Sequence, residues 1–538
     1  MKKRLFGLVL ACFAISGSVH IYAQNAEVVM NKSSRGSYPN EPSICINKKN
    51  PARIIAGANI NYHFFSTDSG KTFSNYFLKS PYGVYGDPVL HSDIDGNIYF
   101  AHLSQTAGKD KNYGWIDRMV VQTAIDGGYL FNDGGFAGLN EPKVQDKPWL
   151  STDDYSDKYK GDVYLTWTEF DYINSKKDKY HSRIRFSKSS DKGQNWSDAI
   201  TISDSVGDAL DDDHTLEGAT TAVDKNGTIY CVWAGHNKIY FDKSADGGKT
   251  WGKDKIIFNQ HSGWVIDIPH TFRSNGMPFL AIDNSNGPNS GRLYLVWGDD
   301  YLGDADIFFS YSDDGGKTWV ESERLNLDAV GNGKSQYLPN IAVDATSGHI
   351  AMVYLDRRNS ENNFFNDATL SYSTDGGISF SEHKLNTLLG PSSGQQSFSG
   401  DYIDIDFHNG QIAAIWTNNL SGKPVVCSQV LFENDLTTLP AIVQPKQTQI
   451  SSSLEKKQFI ICVGSTGKTH INYKLYSKNI FGKKKLKKTE DLYINHKPEL
   501  EAHSETLLIF GKKQRIEVEI WREETGENPV LISTIRRN

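Results

Sequence analysis

The sequence predicts an all-β chain, with a seven-bladed β-propeller over most of its length and a small β domain after it. Three observations carry that prediction. A hairpin motif, Ser-x-Asp-x-Gly-x-Thr-Trp, stands in full at Ser312, Asp314, Gly316, Thr318 and Trp319 and again at Ser244, Asp246, Gly248, Thr250 and Trp251. Phe73 closes a third copy after Ser66, Asp68, Gly70 and Thr72. Ser373, Asp375, Gly377, Ser379 and Phe380 form a fourth, and Ser189, Asp191, Gly193, Asn195 and Trp196 a fifth. A worn sixth copy keeps Asp126, Gly128 and Phe131 but has Ala124 in the serine place. Recurrence at roughly 60 residues marks a repeat architecture. The second observation is an apolar frame that appears seven times: Pro42 to Asn47, Pro88 to Asp93, Pro148 to Asp153, Ala219 to Asp224, Pro278 to Asp283, Pro339 to Asp344 and Asp401 to Asp406. The third is composition: 26 Tyr, 26 Phe and 47 Gly, without long helical apolar periodicity, suit short strands between turns.

Each element follows from residue chemistry. In the motif the Asp carboxylate can accept backbone N–H groups inside a turn, and Gly supplies a positive φ. The closing aromatic begins the next strand and packs beneath it. Each apolar frame leads through a polar turn to a second strand such as Val163–Trp167, Ile229–Trp233 or Leu293–Trp297. A blade is then the frame strand, the Tyr/Trp strand, a strand into the motif and a strand out of it. The seventh repeat lacks the motif, since Val425 to Val430 runs straight into Leu431. Ala26 to Met30 can supply its missing strand, closing the ring and removing an exposed edge. The repeat stops after Leu436, which places the propeller at 24–436 and the C-terminal β domain, with its short linker, at 437–538.

Lys2, Lys3 and Arg4, the apolar run from Leu5 to Ile15 and the cleavage site at Ala23 read as a secretory signal over residues 1–23, implying a secreted, periplasmic or cell-surface protein. Cys12 suggests a lipid anchor, but Leu10 stands where such a signal wants a small residue. No later stretch is long and apolar enough for a transmembrane segment. Cys45, Cys231, Cys427 and Cys462 show neither a disulfide framework nor metal-ligand spacing. From Gln24 to Leu439 there are 36 basic and 53 acidic residues, against 18 and 11 from Pro440 onward. So acidic a main domain excludes nucleic acid as its partner.

The repeated motif resembles the Asp box (BNR repeat) of the sialidase superfamily. That resemblance implies that the boxes are scaffold, joining the third and fourth strands of each blade on the rim away from the catalytic face. It also implies a glycan substrate held by three arginines, a Tyr nucleophile assisted by a Glu, and an Asp acid/base. Sialidases have six blades, so a six-bladed ring is the alternative. The superfamily's Arg-Ile-Pro signature is replaced by Asn40-Glu41-Pro42, which removes one expected arginine.

The residues just ahead of the frame strands gather, in a propeller, over one mouth of the central channel. They include the channel-mouth acids Glu41, Asp87, Asp146, Glu217 and Asp401, which either cap turn N–H groups or form a site. By blade order the resemblance assigns Tyr402 as nucleophile, Glu217 as its partner and Asp87 as acid. Trp264, His270, Arg273, Arg357 and Arg358 are the candidate substrate contacts. Asp211 and Asp213, in the acidic run before His214, could hold Ca²⁺; no cofactor is required. The expected function is a secreted, sialidase-like glycoside hydrolase (exo-sialidase type by resemblance) acting on a carbohydrate. A non-catalytic glycan- or protein-binding propeller is one alternative. A polysaccharide lyase using His214 or His270 with Tyr402 is the other.

Overall fold

The computed structural model describes residues 27–30, 39–105, 116–361, 363–385, 390–391, 400–420 and 423–436, and seven strands between 446 and 537. Segment 1–23, with Cys12, lies outside the described residues. Among the described residues no helix is long and apolar enough to cross a membrane.

Seven antiparallel sheets form the propeller blades, in chain order. Their innermost strands are Ser43–Ile46, Val89–Ser92, Val144–Thr152, Glu217–Val223, Phe279–Ile282, Gln336–Val343 and Asp404–His408. The ring has seven blades, not the six of the alternative. Val28–Val29 is the fourth strand of the seventh blade, pairing with Ser428 and Cys427, and the Met30 N–H continues the ladder to the Val426 carbonyl at 2.9 Å. Ala26, the first residue assigned to that strand from sequence, lies outside the described residues. Small polar side chains tie the innermost strands together around the axis. Ser43 Oγ donates to Asp404 at 2.7 Å and accepts from the Leu90 N–H at 2.9 Å, linking blades 7, 1 and 2. Thr220 Oγ1 does the same between blades 4 and 5, donating to the Pro278 carbonyl and accepting from the Leu280 N–H.

The motif turns are built alike. In the fifth blade Asp314 accepts from Ser312 Oγ at 2.9 Å, from the Thr318 N–H at 2.9 Å and from Thr318 Oγ1 at 2.6 Å. The worn copy at Asp126 keeps only backbone bonds, of 3.2 to 3.4 Å, because its serine and threonine are gone. The closing aromatic packs across the seam, not beneath its own strand: Trp319 meets Phe241 of the preceding blade at 5.9 Å, and Phe380 meets Phe309 at 5.1 Å. Gly316, at φ 76°, touches the same neighbour; a Cβ there would sit 2.1 Å from the Phe241 ring. Register separates the two rims. In blade 1, Ser43 pairs Gly57 and Tyr62 pairs Phe77 at one end, while Ile46 pairs Ile54 and Phe65 pairs Ser74 at the other. The motif turns therefore lie at the end of the blade remote from Glu41.

The apolar cores lie between adjacent blades, and Cys45, Cys231 and Cys427 are buried free thiols within them. The C-terminal strands form one sheet of three and one of four.

Candidate active site at the channel mouth

The backbone turns sharply just before the innermost strands. Glu41, Asp87, Lys147 and Leu338 are left-handed, with φ between 49° and 51°, and each precedes a proline. Bulges at Asp146/Trp149 and Glu217/Thr220 kink the strand entry further. Such kinks re-aim side chains. Here they gather carboxylates from five blades around one ammonium.

That ammonium is Lys147, a residue the sequence reading passed over. Its Nζ lies 2.7 Å from Asp401 and 3.6 Å from Asp87, and only 5 % of its side chain is exposed. Lys147 occupies the frame position of Glu41 and Asp87, directly before proline, so the register that found those acids also pointed to it. Arg273 forks onto Asp401, with Nε at 2.9 Å, and reaches Asp211 at 2.9 Å. Glu41 accepts the Asp401 N–H at 3.1 Å and a bond from Asn59, which in turn accepts the Asp87 N–H at 2.7 Å. Beneath the cluster Trp149 and Phe279 pack edge to face at 5.2 Å.

Electrostatics divides these acids. Burial opposes ionisation of Asp401, but Lys147 and Arg273 outweigh it and hold the carboxyl down at about 2. Burial likewise opposes the charge on Lys147, yet Asp146, Asp401, Asp87 and Glu41 together push it well above the usual lysine range. Glu217 is the opposite case. It is fully buried, neither oxygen has a hydrogen-bond partner among the described residues, and burial, with Asp211 nearby, pushes it well above the carboxylate range. Asp87 follows suit, raised by burial and then by Glu41.

The other residues named from sequence divide between the cluster and the scaffold around it. The Tyr402 hydroxyl is buried beside Asp87 and Glu41 and donates to the Pro88 carbonyl at 3.1 Å; it makes no hydrogen bond with Glu217. Arg357 is fully buried, spending its guanidinium on Asn366, the Pro269 carbonyl, Thr271 and Tyr337, and so pins the loop that carries Arg273. Arg358 is locked between Asp356 and Glu382. Of the three arginines, only Arg273 touches the cluster. Trp264 is core, packed against the spot where a Gly218 side chain would be, whereas His270 is exposed against Phe364 at 5.8 Å. Asp211 is paired with Arg273, and Asp213 accepts the Val265 N–H at 2.7 Å, so the two are not gathered for Ca²⁺. Among the described residues no group of three or more side chains is arranged to hold a metal. His214 is exposed and lies beside His236.

Residues 164–403 match the BNR repeat-like domain family. No curated protein matches the chain by sequence. Among solved structures, a Hadza microbial sialidase is similar with TM-score 0.40 and 12% identity over 71% of this chain and 74% of that one. The NanB sialidase from Streptococcus pneumoniae gives 0.43 and 9% over 71% and 84%. A protein of unknown function from Dyadobacter fermentans gives 0.41 and 14% over 76% and 98%. The matched segment runs from the second strand of blade 3 to the threshold of blade 7, and over it this part of the seven-bladed propeller is similar to the BNR repeat-like domain.

Proposed function

We propose that the protein is a secreted glycoside hydrolase of the sialidase-like type, working on a glycan at the channel mouth. One observation carries the reading: Glu217 is sealed from solvent at the mouth with both oxygens unpartnered. A carboxyl in that setting costs stability, which marks it as a candidate for function. Held protonated by burial, it can hand a proton to a glycosidic oxygen, the task a glycosidase gives one of its two carboxyl groups. Asp87 is the second proton-holding acid. Asp146, half-buried on the rim, is the carboxylate with access to an anomeric carbon or its attacking water. Asp401, saturated by Lys147 and Arg273, keeps the cluster in place. Tyr402 takes no part in this scheme, and a single arginine at the mouth is a poor match for a substrate carboxylate.

A binding-only propeller is the second reading, favoured by the closure of Asp401, Lys147 and Arg273 upon one another. Reducing-sugar release from neutral glycans, amino-sugar oligomers, sialosides and uronate polymers tests both. Turnover that falls at least a hundredfold in Glu217→Gln, with KM little changed, supports the hydrolase. Glycan binding without turnover in the native protein supports the second reading. Release of unsaturated uronates would point to a lyase and overturn both.

A further inference from the structure

The mouth acids are closed upon one another, but the rim around them presents uncovered aromatic rings. On blade 2 the loop that delivers Asp87 carries Tyr85, 41 % exposed, two residues before it. The Tyr85 N–H donates to the Leu103 carbonyl at 3.0 Å, and its ring lies over Gly83, where a Cβ would come within 2.5 Å of it. Blades 5 and 6 carry a second group. His270 and Phe272 stand just before Arg273 on the blade 5 insertion, and Phe364 of blade 6 lies 5.8 Å from His270 and 5.5 Å from Phe365. Phe272, Phe364 and Phe365 are 61 %, 37 % and 41 % exposed. Their backbones are held all the same. Ser360 Oγ accepts the Phe364 and Phe365 N–H groups at 2.8 and 2.9 Å, and buried Arg357 ties the Pro269 carbonyl and Thr271 to Asn366.

Both groups belong to the mouth face. The Asp87 loop and the blade 5 insertion enter innermost strands, and Asp356 pairs with Gln336 and Asp367 at that same end of blade 6. In a closed ring of seven blades in chain order, the point opposite blade 2 is the seam between blades 5 and 6. The two groups therefore lie across the mouth from each other, with the acid cluster between them. Exposed rings on a fixed backbone mark an interaction surface and bind with little ordering cost. Their apolar faces suit the C–H faces of a pyranose, while the Tyr85 hydroxyl and the His270 ring can bond its hydroxyls. Lys147 and Arg273 are both committed to carboxylates, so the fitting chain is uncharged.

We propose that the mouth takes an internal stretch of an extended, uncharged glycan, one arm resting on Tyr85 and the other on the rings of Phe272, Phe364 and Phe365. This rests on the reading of the mouth as a glycan site, and departs from the single terminal sugar that an exo-sialidase would hold.

Calorimetric titration of the full chain with cello-, manno- and N-acetylchito-oligosaccharides of two to six residues, and with sialyllactose, tests it without needing turnover. The hexasaccharide of the preferred series is expected to bind at least about tenfold more tightly than the disaccharide, because two arms engage together. Tyr85→Ala and Phe364→Ala should each weaken the hexasaccharide about three- to tenfold, the range of one aromatic contact. Phe364→Tyr keeps the ring and should keep the affinity, and Phe272→Ala reads the same arm should Phe364→Ala fold poorly. Tyr129→Ala removes an exposed ring of the box rim and should change nothing. Equal binding of disaccharide and hexasaccharide, preference for sialyllactose, or a length dependence that survives both alanine variants overturns the crossing and leaves the glycan site standing. No oligosaccharide bound by the native protein overturns the glycan site with it. A dimer of the chain that Phe364→Ala dissociates would assign those rings to self-association and overturn the proposal.

Discussion

Asp401 shows what a single carboxylate does here. It is ionised, buried and shared by Lys147 and Arg273, so Asp401→Asn would leave two buried cations short of their counter-ion. The expected cost is about 3–5 kcal/mol in denaturant unfolding, the usual result of breaking a buried pair from one side. Its pH signature has a definite sign. A folded value near 2 lies below the ordinary 3.8, so this contribution is present above pH 4 and is lost as pH falls through that window. Glu217 acts oppositely. The folded state holds a proton that the unfolded chain releases near 4.5, so stability falls as pH rises from there towards the raised folded value. Asp404, pushed up by burial to about 7, adds the same trend between its ordinary 3.8 and 7. Melting temperature against pH should therefore decline above pH 5, and Glu217→Gln should flatten the decline. A wild-type profile that rises to pH 8 would contradict the burial of these acids. The mouth acids were legible in sequence because five blades place an acid within two residues of the frame strand. Lys147 was legible by the same rule, since it too stands directly before the proline of its frame, although its charge is opposite to that of the acids it joins. The roles of Arg357 and Tyr402 were not legible, because blade order does not say whether a side chain faces the axis or the next blade.

At the level of the hairpin, the box is a turn with a second task. Its carboxylate organises the turn, and its glycine and closing aromatic press on the preceding blade. Sequence reveals the first task from Ser, Asp and Gly alone. The second depends on ring closure, which sets the neighbour, so the partner of Trp319 could not be named in advance. Two variants separate the tasks. Asp314→Ala removes the turn's acceptor on an exposed rim, and should lower the melting temperature while leaving any turnover at the mouth unchanged. Gly316→Ala strains a left-handed residue and drives a methyl group into Phe241, and should cost more, roughly 1–3 kcal/mol from the backbone alone. Selective loss of turnover at an unchanged melting temperature, in either variant, would place the boxes in the working site.

For the molecule as a whole the question is how the ring is shut, and seven repeats with six boxes made the closing blade readable. In place of a box, blade 7 reaches blade 6 through Glu433, whose carboxylate meets His349 Nδ1 at 2.7 Å and the Tyr372 hydroxyl at 3.1 Å. No sequence rule announces that clamp, since it replaces a repeat element with an unrelated one. The other side of the same blade is the seam with Val28–Val29. There Met30 bonds to Val426, which makes Val29 and Cys427 the adjacent non-hydrogen-bonded pair, the closer kind in an antiparallel ladder. Val29 packs against the core cluster that contains Cys427, so the two side chains share a face. Val29→Cys should therefore form a disulfide with Cys427 under oxidising conditions, within the Cα separations that a disulfide accepts. A bond closing almost the entire propeller into one loop should add about 2–4 kcal/mol, read as a melting temperature that drops on reduction. Free thiols at both positions after oxidation, or an oxidised protein no more stable than the reduced one, would mean that the ring is not closed by this strand.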